Sequence, residues 1–210
     1  FDAENPSTNK AVDDTAGKKV VYNGKLAQTY YFSSSGGRTE DSVNVWGYEY
    51  PYLKSVEDSF ESGRSWNYNW ESRVKASDIK KAMLDKGYDI GDITDVRITK
   101  KSESGRATEL EVIGTKGKQV FQRGQCRSVL SSLHSQWYEI STDSDVFAVI
   151  NEEVPQKIRV FGRSVVSANG IMEIRQSTGT IKIIGDGNTS KSVPVTPKQY
   201  IFTGRGWGHA

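Results

Sequence analysis

Residues 33 to 40 read SSSGGRTE, a run of short hydrogen-bonding groups around two glycines. The hydroxyls of Ser33, Ser34 and Ser35, with N–H groups laid bare around Gly36 and Gly37, can bond a polar ligand at close range. Neutral donors and acceptors of this kind suit sugars or amides better than phosphates. No GxxxxGK[ST] or GxGxxG run offers a nucleotide cradle. The competing reading, favoured by the residues alone, is a strand-ending turn whose serines satisfy their own backbone. Glu40 and Asp41 follow at once. A carboxyl beside a ligand-holding loop is placed for general-acid work on a glycosidic oxygen, and its ordinary alternative is a solvated or Arg-paired carboxylate.

Three further places carry reactive or stacking groups. In SWNYNWES, Trp66, Tyr68 and Trp70 alternate with polar residues, so on a strand they would share one face, as core packing or as a stacking platform for sugar rings. The closing GRGWGHA sets Arg205, Trp207 and His209 among three glycines, where a ligand can approach the imidazole of His209 closely. His134, in SSLHSQW, reads as structural or exposed. The single cysteine, Cys126, reads as a small buried apolar residue.

The elements that must position these groups are mostly strands. Asn23-Gly24 between KKVVY and KLAQTYYF predicts a tight hairpin, since both turn residues tolerate positive φ. DVRITKKSE, RATELEVIG and KQVFQ predict a three-stranded meander with glycine turns. SDIKKAMLDK predicts a helix over 77–86 with Ser77 as N-cap and Gly87 as stop, and a short helix is predicted around CRSVLSSL. VFAVI, KIRVFG, IMEIRQ, TIKIIG and QYIFTG return the chain to β structure, with a β-rich insertion expected at about 160–197. The first 17 residues read as a polar surface lead-in. The fold class is α+β, a single elaborated domain of mostly antiparallel strands with a few short helices.

Composition narrows the function classes. The chain has 210 residues, with 28 Lys and Arg against 26 Asp and Glu, a balance that gives no basic face for nucleic acid. One cysteine and two histidines offer neither an internal disulfide nor a metal-ligand pattern. No apolar run approaches the 18 residues a membrane-spanning helix needs. A start on Phe1 without a leader pattern is expected of a processed or truncated piece.

Several stretches, in order, resemble one family. KAVDDTAGKKVVYNGKLAQTYYFSSSGGRTEDSVNVWG, PYLKSVEDSFE, ESGRATELEVIG, RSVLSSLHSQWYEI and FTGRGWGHA follow the segments of the SpoIID/LytB domain from about Asn9 to Ala210. Ser33, Ser35, Gly36, Gly37, Thr39, Glu40 and Trp46 match its serine–glycine motif, and Gly204, Arg205, Gly206, Gly208 and His209 match its closing one. The resemblance implies an extracytoplasmic cell-envelope protein of Gram-positive type acting on peptidoglycan glycan strands, with an amidase as partner. It implies either a lytic transglycosylase active in sporulation and wall remodelling, or a non-catalytic amidase enhancer that binds the wall. It turns Ser33, Ser34, Ser35, Gly36, Gly37, Thr39, Glu40, Trp46, Arg205 and His209 into expected substrate-binding residues. The family's catalytic Glu lies in an upstream segment, E-A-L-K-A-Q-A-like, with no match here, so no residue of this sequence is assigned as catalytic. The Cys and His that bind zinc in some members lie in that same segment, and no cofactor is expected in this chain.

Overall fold

The computed structural model describes residues 4–142 and 197–208 in full, together with the backbone of the strands between 146 and 195. The chain divides into two compact units, Phe1–Tyr31 and Phe32–Ala210.

In the first unit the expected lead-in contains helix α1 (Pro6–Asp14), which buries no residue. The Asn5 side chain caps it by accepting from Ser7 N at 2.9 Å, and Pro6 supplies a preset φ at the first position. The hairpin forms where Asn23-Gly24 placed it: β1 (Val21–Tyr22) pairs with β2 (Lys25–Leu26), and both turn residues have positive φ, 48° and 76°. The strands are only two residues long, much shorter than the flanking apolar runs suggested.

The second unit begins with the serine–glycine loop and the short helix α2 (Ser42–Trp46). Strand β3 (Asn69–Lys75) runs straight into α3 (Ala76–Asp85), and the meander follows as β4 (Ile93–Lys101), β5 (Ala107–Gly114) and β6 (Gly117–Gln122). Helix α3 starts one residue before the predicted 77–86, so Lys75 rather than Ser77 occupies the N-cap. The predicted helix at CRSVLSSL shrinks to α4 (Gln125–Ser128), because Val129, Leu130 and Leu133 enter the core through turns. Then come β7 (Tyr138–Thr142) and three hairpin pairings: β8 (Val146–Phe147) with β9 (Lys157–Ile158), β10 (Ser164–Ser167) with β11 (Gly170–Glu173), and β12 (Gly179–Ile184) with β13 (Ser190–Val195). The insertion expected at about 160–197 falls in this stretch, where side chains lie outside the described residues. Strand β14 (Gln199–Arg205) returns to the body of the unit.

Two antiparallel sheets build the core, one ordered β4-β5-β6 and the other β3-β14-β7. Both are antiparallel throughout, and the few helices are short, as an α+β chain requires. Ile79 and Met83 of α3, Val96, Leu110 and Val112 of the meander, and Tyr138, Tyr200 and Phe202 of the other sheet join one buried cluster. In β3 the alternation is strict, with Trp70, Ser72 and Val74 inward. Gly204 sits opposite Trp70 and Tyr138, and a Cβ there would lie 2.3 Å from Trp70 Cζ2. Only glycine lets the indole of Trp70 cross this level of the sheet.

Candidate functional site

The two glycine-rich motifs, from opposite ends of the unit's sequence, interlock backbone to backbone. Trp207 N donates to Ser34 O at 2.8 Å, while Ser33 N and Ser34 N donate to Trp207 O at 2.9 and 3.2 Å. Gly36 has φ +73° and Gly206 has φ +75°. A Cβ on Gly36 would lie 2.9 Å from Gly206 N, and one on Gly206 would lie 3.0 Å from Ser34 O. The glycines are therefore required by close approach as well as by positive φ.

The loop is fastened on its other side by residues 53–61. Thr39 exchanges backbone and side-chain bonds with Val56, Asp58 N donates to Gly37 O at 3.0 Å, and Arg38 Nε donates to Ser55 Oγ at 2.8 Å. Ser35 Oγ lies 2.9 Å from Asp58 Oδ2 and 2.5 Å from Glu61 Oε2, and it accepts from Gly37 N. A hydroxyl has one proton, so only one of the two carboxylates receives it. Gly36 N donates to Glu61 at 3.0 Å. Partial burial pushes the Glu61 carboxyl up, but the Ser35 and Ser34 hydroxyls and the loop N–H groups outweigh it and hold the carboxyl below its usual range.

Beneath the loop lie two buried side chains of opposite charge, joined through Ser104 Oγ. Glu40, 7% exposed, accepts from Asp41 N and Asn44 Nδ2 on one oxygen and from the Ser102 and Ser104 hydroxyls on the other. Arg106, 2% exposed, donates to the carbonyls of Ser35 at 2.8 Å, Arg38 at 2.6 Å and Thr39 at 3.4 Å, and to Ser104 Oγ at 3.1 Å. Burial lowers the Arg106 pKa to about 10 against the opposing pull of Glu40, so the guanidinium stays charged at neutral pH. The partner of Glu40 is thus the turn Ser102–Arg106 together with neighbouring N–H groups, and Arg38 turns to Ser55 instead.

A ladder of rings rises beside the loop. Trp70, 7% exposed, meets His134 edge-on at 5.3 Å between centroids; His134 stacks on Trp207 at 3.7 Å; and Trp207 meets Trp66 at 6.4 Å. Burial and the nearby Arg127 charge lower the pKa of His134. The one-face expectation for Trp66, Tyr68 and Trp70 does not hold, because β3 begins only at Asn69. Trp70 is in the core, while Trp66 stands in a turn and is 88% exposed.

The remaining expected residues separate. Arg205 is exposed, lies over the Trp137 ring at 5.0 Å, and lines a depression of about 280 Å³ with Asn69, Glu139 and Thr203. Trp46 lines another depression, with Arg123, Gln125 and Ser128, that shares no residue with the loop. His209 lies outside the described residues. Among the described residues no group of three or more His, Cys, Asp and Glu side chains is placed to hold a metal ion, and no helix is long and apolar enough to cross a membrane. Asp58, Glu61, Ser102, Ser104, Arg106 and His134 all support the site without having been singled out for it from sequence. Only the concentration of glycine and hydroxyl residues at 102–106 hinted at a turn with polar work to do.

Residues 52–164, more than half of the chain, match the family described as "Domain of unknown function (DUF8618)". The chain is 27% identical to the amidase enhancer of Bacillus subtilis (strain 168), over 98% of the chain and 28% of that protein. It is 32% identical to stage II sporulation protein D of the same organism, over 40% of the chain and 25% of that protein. An uncharacterized protein of Brachyspira hyodysenteriae is 26% identical over 51% of the chain and 29% of its own length. The chain therefore spans less than a third of the length of these curated relatives.

Proposed function

Because this chain belongs to the DUF8618 family and is SpoIID/LytB-like, we propose that it serves the bacterial cell wall, holding peptidoglycan glycan strands against the loop at 33–40. The observation that supports this most is the interlock of that loop with Gly204–Gly208, which fixes its backbone, with Ser34 and Ser35 buried as its support and Ser33 and Arg38 on its exposed side. Rigid hydrogen-bonding groups set on a sheet lose little entropy on meeting a sugar. The finer reading is a part of a SpoIID-type lytic transglycosylase acting in sporulation or wall remodelling. In that chemistry an acid protonates the glycosidic oxygen and the muramic 6-hydroxyl closes on the anomeric carbon. Glu40 is a poor source of that acid, since both its oxygens are already engaged and it is buried. Its work is to anchor the loop.

A second reading, a module that binds the wall and stimulates an N-acetylmuramoyl-L-alanine amidase, draws on one observation: the likeness to the amidase enhancer extends over 98% of the chain. Sedimentation with purified sacculi stripped of stem peptides tests the shared premise, and retention of the chain is expected. A chain left wholly in the supernatant refutes glycan holding. Mass spectrometry of the same digests for anhydro-muramic ends, alongside amidase rates with and without the chain, separates the two readings. We expect no anhydro ends from this chain alone.

A further inference from the structure

Trp66 is the most exposed tryptophan whose surroundings are described, and its exposure is built rather than incidental. Single exposed apolar side chains are ordinary on protein surfaces and need no explanation. Here, however, the backbone on both sides of the indole is tied to the serine–glycine loop. Glu61 reaches Ser35 Oγ and Gly36 N, and Asn67 Nδ2 donates to Ser33 Oγ at 2.7 Å. Between those ties the segment is locked by turn bonds from Arg64 N and Ser65 N to Glu61 O, and from Tyr68 N to Ser65 O. The indole is also the outer rung of the ladder that starts in the core at Trp70.

The groups around it select a ligand class. Ser33 is exposed, and its hydroxyl accepts from Asn67, so its own proton has no acceptor among the described residues. Asn67 is only 5% exposed, so its amide acts from behind the surface by orienting the Ser33 hydroxyl. Glu61 and Arg64 both lie in this segment, so its charges balance and select neither an anion nor a cation. A flat aromatic face beside an exposed neutral hydroxyl fits a pyranose: its C–H face lies on the ring and its hydroxyl or acetamido edge meets Ser33 Oγ.

We propose that Trp66, backed by Trp207, is a stacking subsite for an uncharged hexopyranose ring of the glycan, the N-acetylated sugar being the class it fits. The proposal rests on the glycan-holding reading above and names the subsite that grips the ring. The test titrates the 210-residue chain with a β-1,4-linked N-acetylglucosamine tetramer, following its five tryptophan indole N–H signals by NMR. Sedimentation with stripped sacculi is run beside it. The Trp66 and Trp207 signals are expected to move, and Trp66→Ala to weaken binding about tenfold at unchanged thermal stability, with Trp66→Phe restoring part of it. A Trp66→Ala chain that binds tetramer and sacculi as the parent does overturns the subsite and leaves the glycan reading standing. A parent chain that binds neither overturns both.

Discussion

Arg106 is where the architecture of the loop can be tested most sharply. Its guanidinium is 2% exposed and holds three carbonyls that belong to the loop, those of Ser35, Arg38 and Thr39, together with Ser104 Oγ. It also lies 4.8 Å from the centre of the Trp137 ring. Each hydrogen bond to a charged donor contributes roughly 1.5–3 kcal/mol, but the four share one ion and do not add. Removing the guanidinium takes the donor from the buried Ser35 carbonyl and from that of Arg38, leaves Thr39 O with Ser55 Oγ alone at 2.8 Å, and deprives the Glu40 carboxylate of a buried cation. Breaking a direct buried ion pair costs about 3–5 kcal/mol; Glu40 keeps its own four donors, so the lower end, about 3 kcal/mol, is the expected destabilisation for Arg106→Ala. Arg106→Lys keeps the charge without the fork and should lose about half as much. Urea unfolding followed by tryptophan fluorescence gives the free energies, and amide exchange over residues 33–40 reports the loop itself. Glu40→Gln completes a double-mutant cycle, in which the double variant should lose about 1–2 kcal/mol less than the sum of the singles. A loss below about 1 kcal/mol for Arg106→Ala, with unchanged exchange in 33–40, would refute the claim that this side chain shapes the loop.

Two other perturbations probe the same region. Gly36 and Gly63 share a φ of +73° and +74°, but a Cβ on Gly36 meets Gly206 N at 2.9 Å while one on Gly63 meets nothing within 4 Å. Gly63→Ala should therefore cost about 1–2 kcal/mol for the left-handed backbone alone, and Gly36→Ala about 1–3 kcal/mol more; equal losses would remove the interlock argument. For His134, the folded pKa lies below the ordinary 6.5 through burial and the Arg127 charge. The unfolded chain thus binds the proton more readily, and the stability His134 contributes is full above about 6.5 and lost as pH falls through the folded value. His134→Gln should flatten that part of the stability–pH curve, and an NMR titration should place the imidazole pKa below 6.5.

What could be read ahead of the structure was what neighbouring residues decide among themselves. Asn23-Gly24 fixed a turn, Gly87 followed the end of α3, and RATELEVIG between its glycine turns set a strand, because each depends on local sterics and propensity. Trp66 and Tyr68 misled for a related reason: alternation implies a shared face only inside a strand, and the turn bonds at 61–68 delay β3 until Asn69. The support of the loop was not legible. Glu40 meets Ser102 and Ser104, Arg106 meets Ser35, and Ser33 meets Trp207, all pairings between segments far apart in sequence. In the sequence Ser102–Arg106 is only a polar turn, and nothing in it names the carboxylate it will bury. The family's motif order pointed to the loop and the closing glycines together, while their contact is a property of the folded backbone.

Strand β14 occupies the middle of its sheet, with β3 on one side and β7 on the other. During synthesis, β3 and β7 leave the ribosome with a vacancy between them that stays open until residues 199–205 arrive. Gly206, which presses against Ser34 and Gly36, follows directly on that strand. Long-range pairing of this kind is slow to form, and here the loop at 33–40 inherits that delay. A nascent chain that has made every earlier element still lacks the contacts from Gly206 and Trp207 that hold Ser33–Gly36 in place. The shape of the loop is thus decided by the last strand that its neighbouring sheet receives, not by the loop's own sequence.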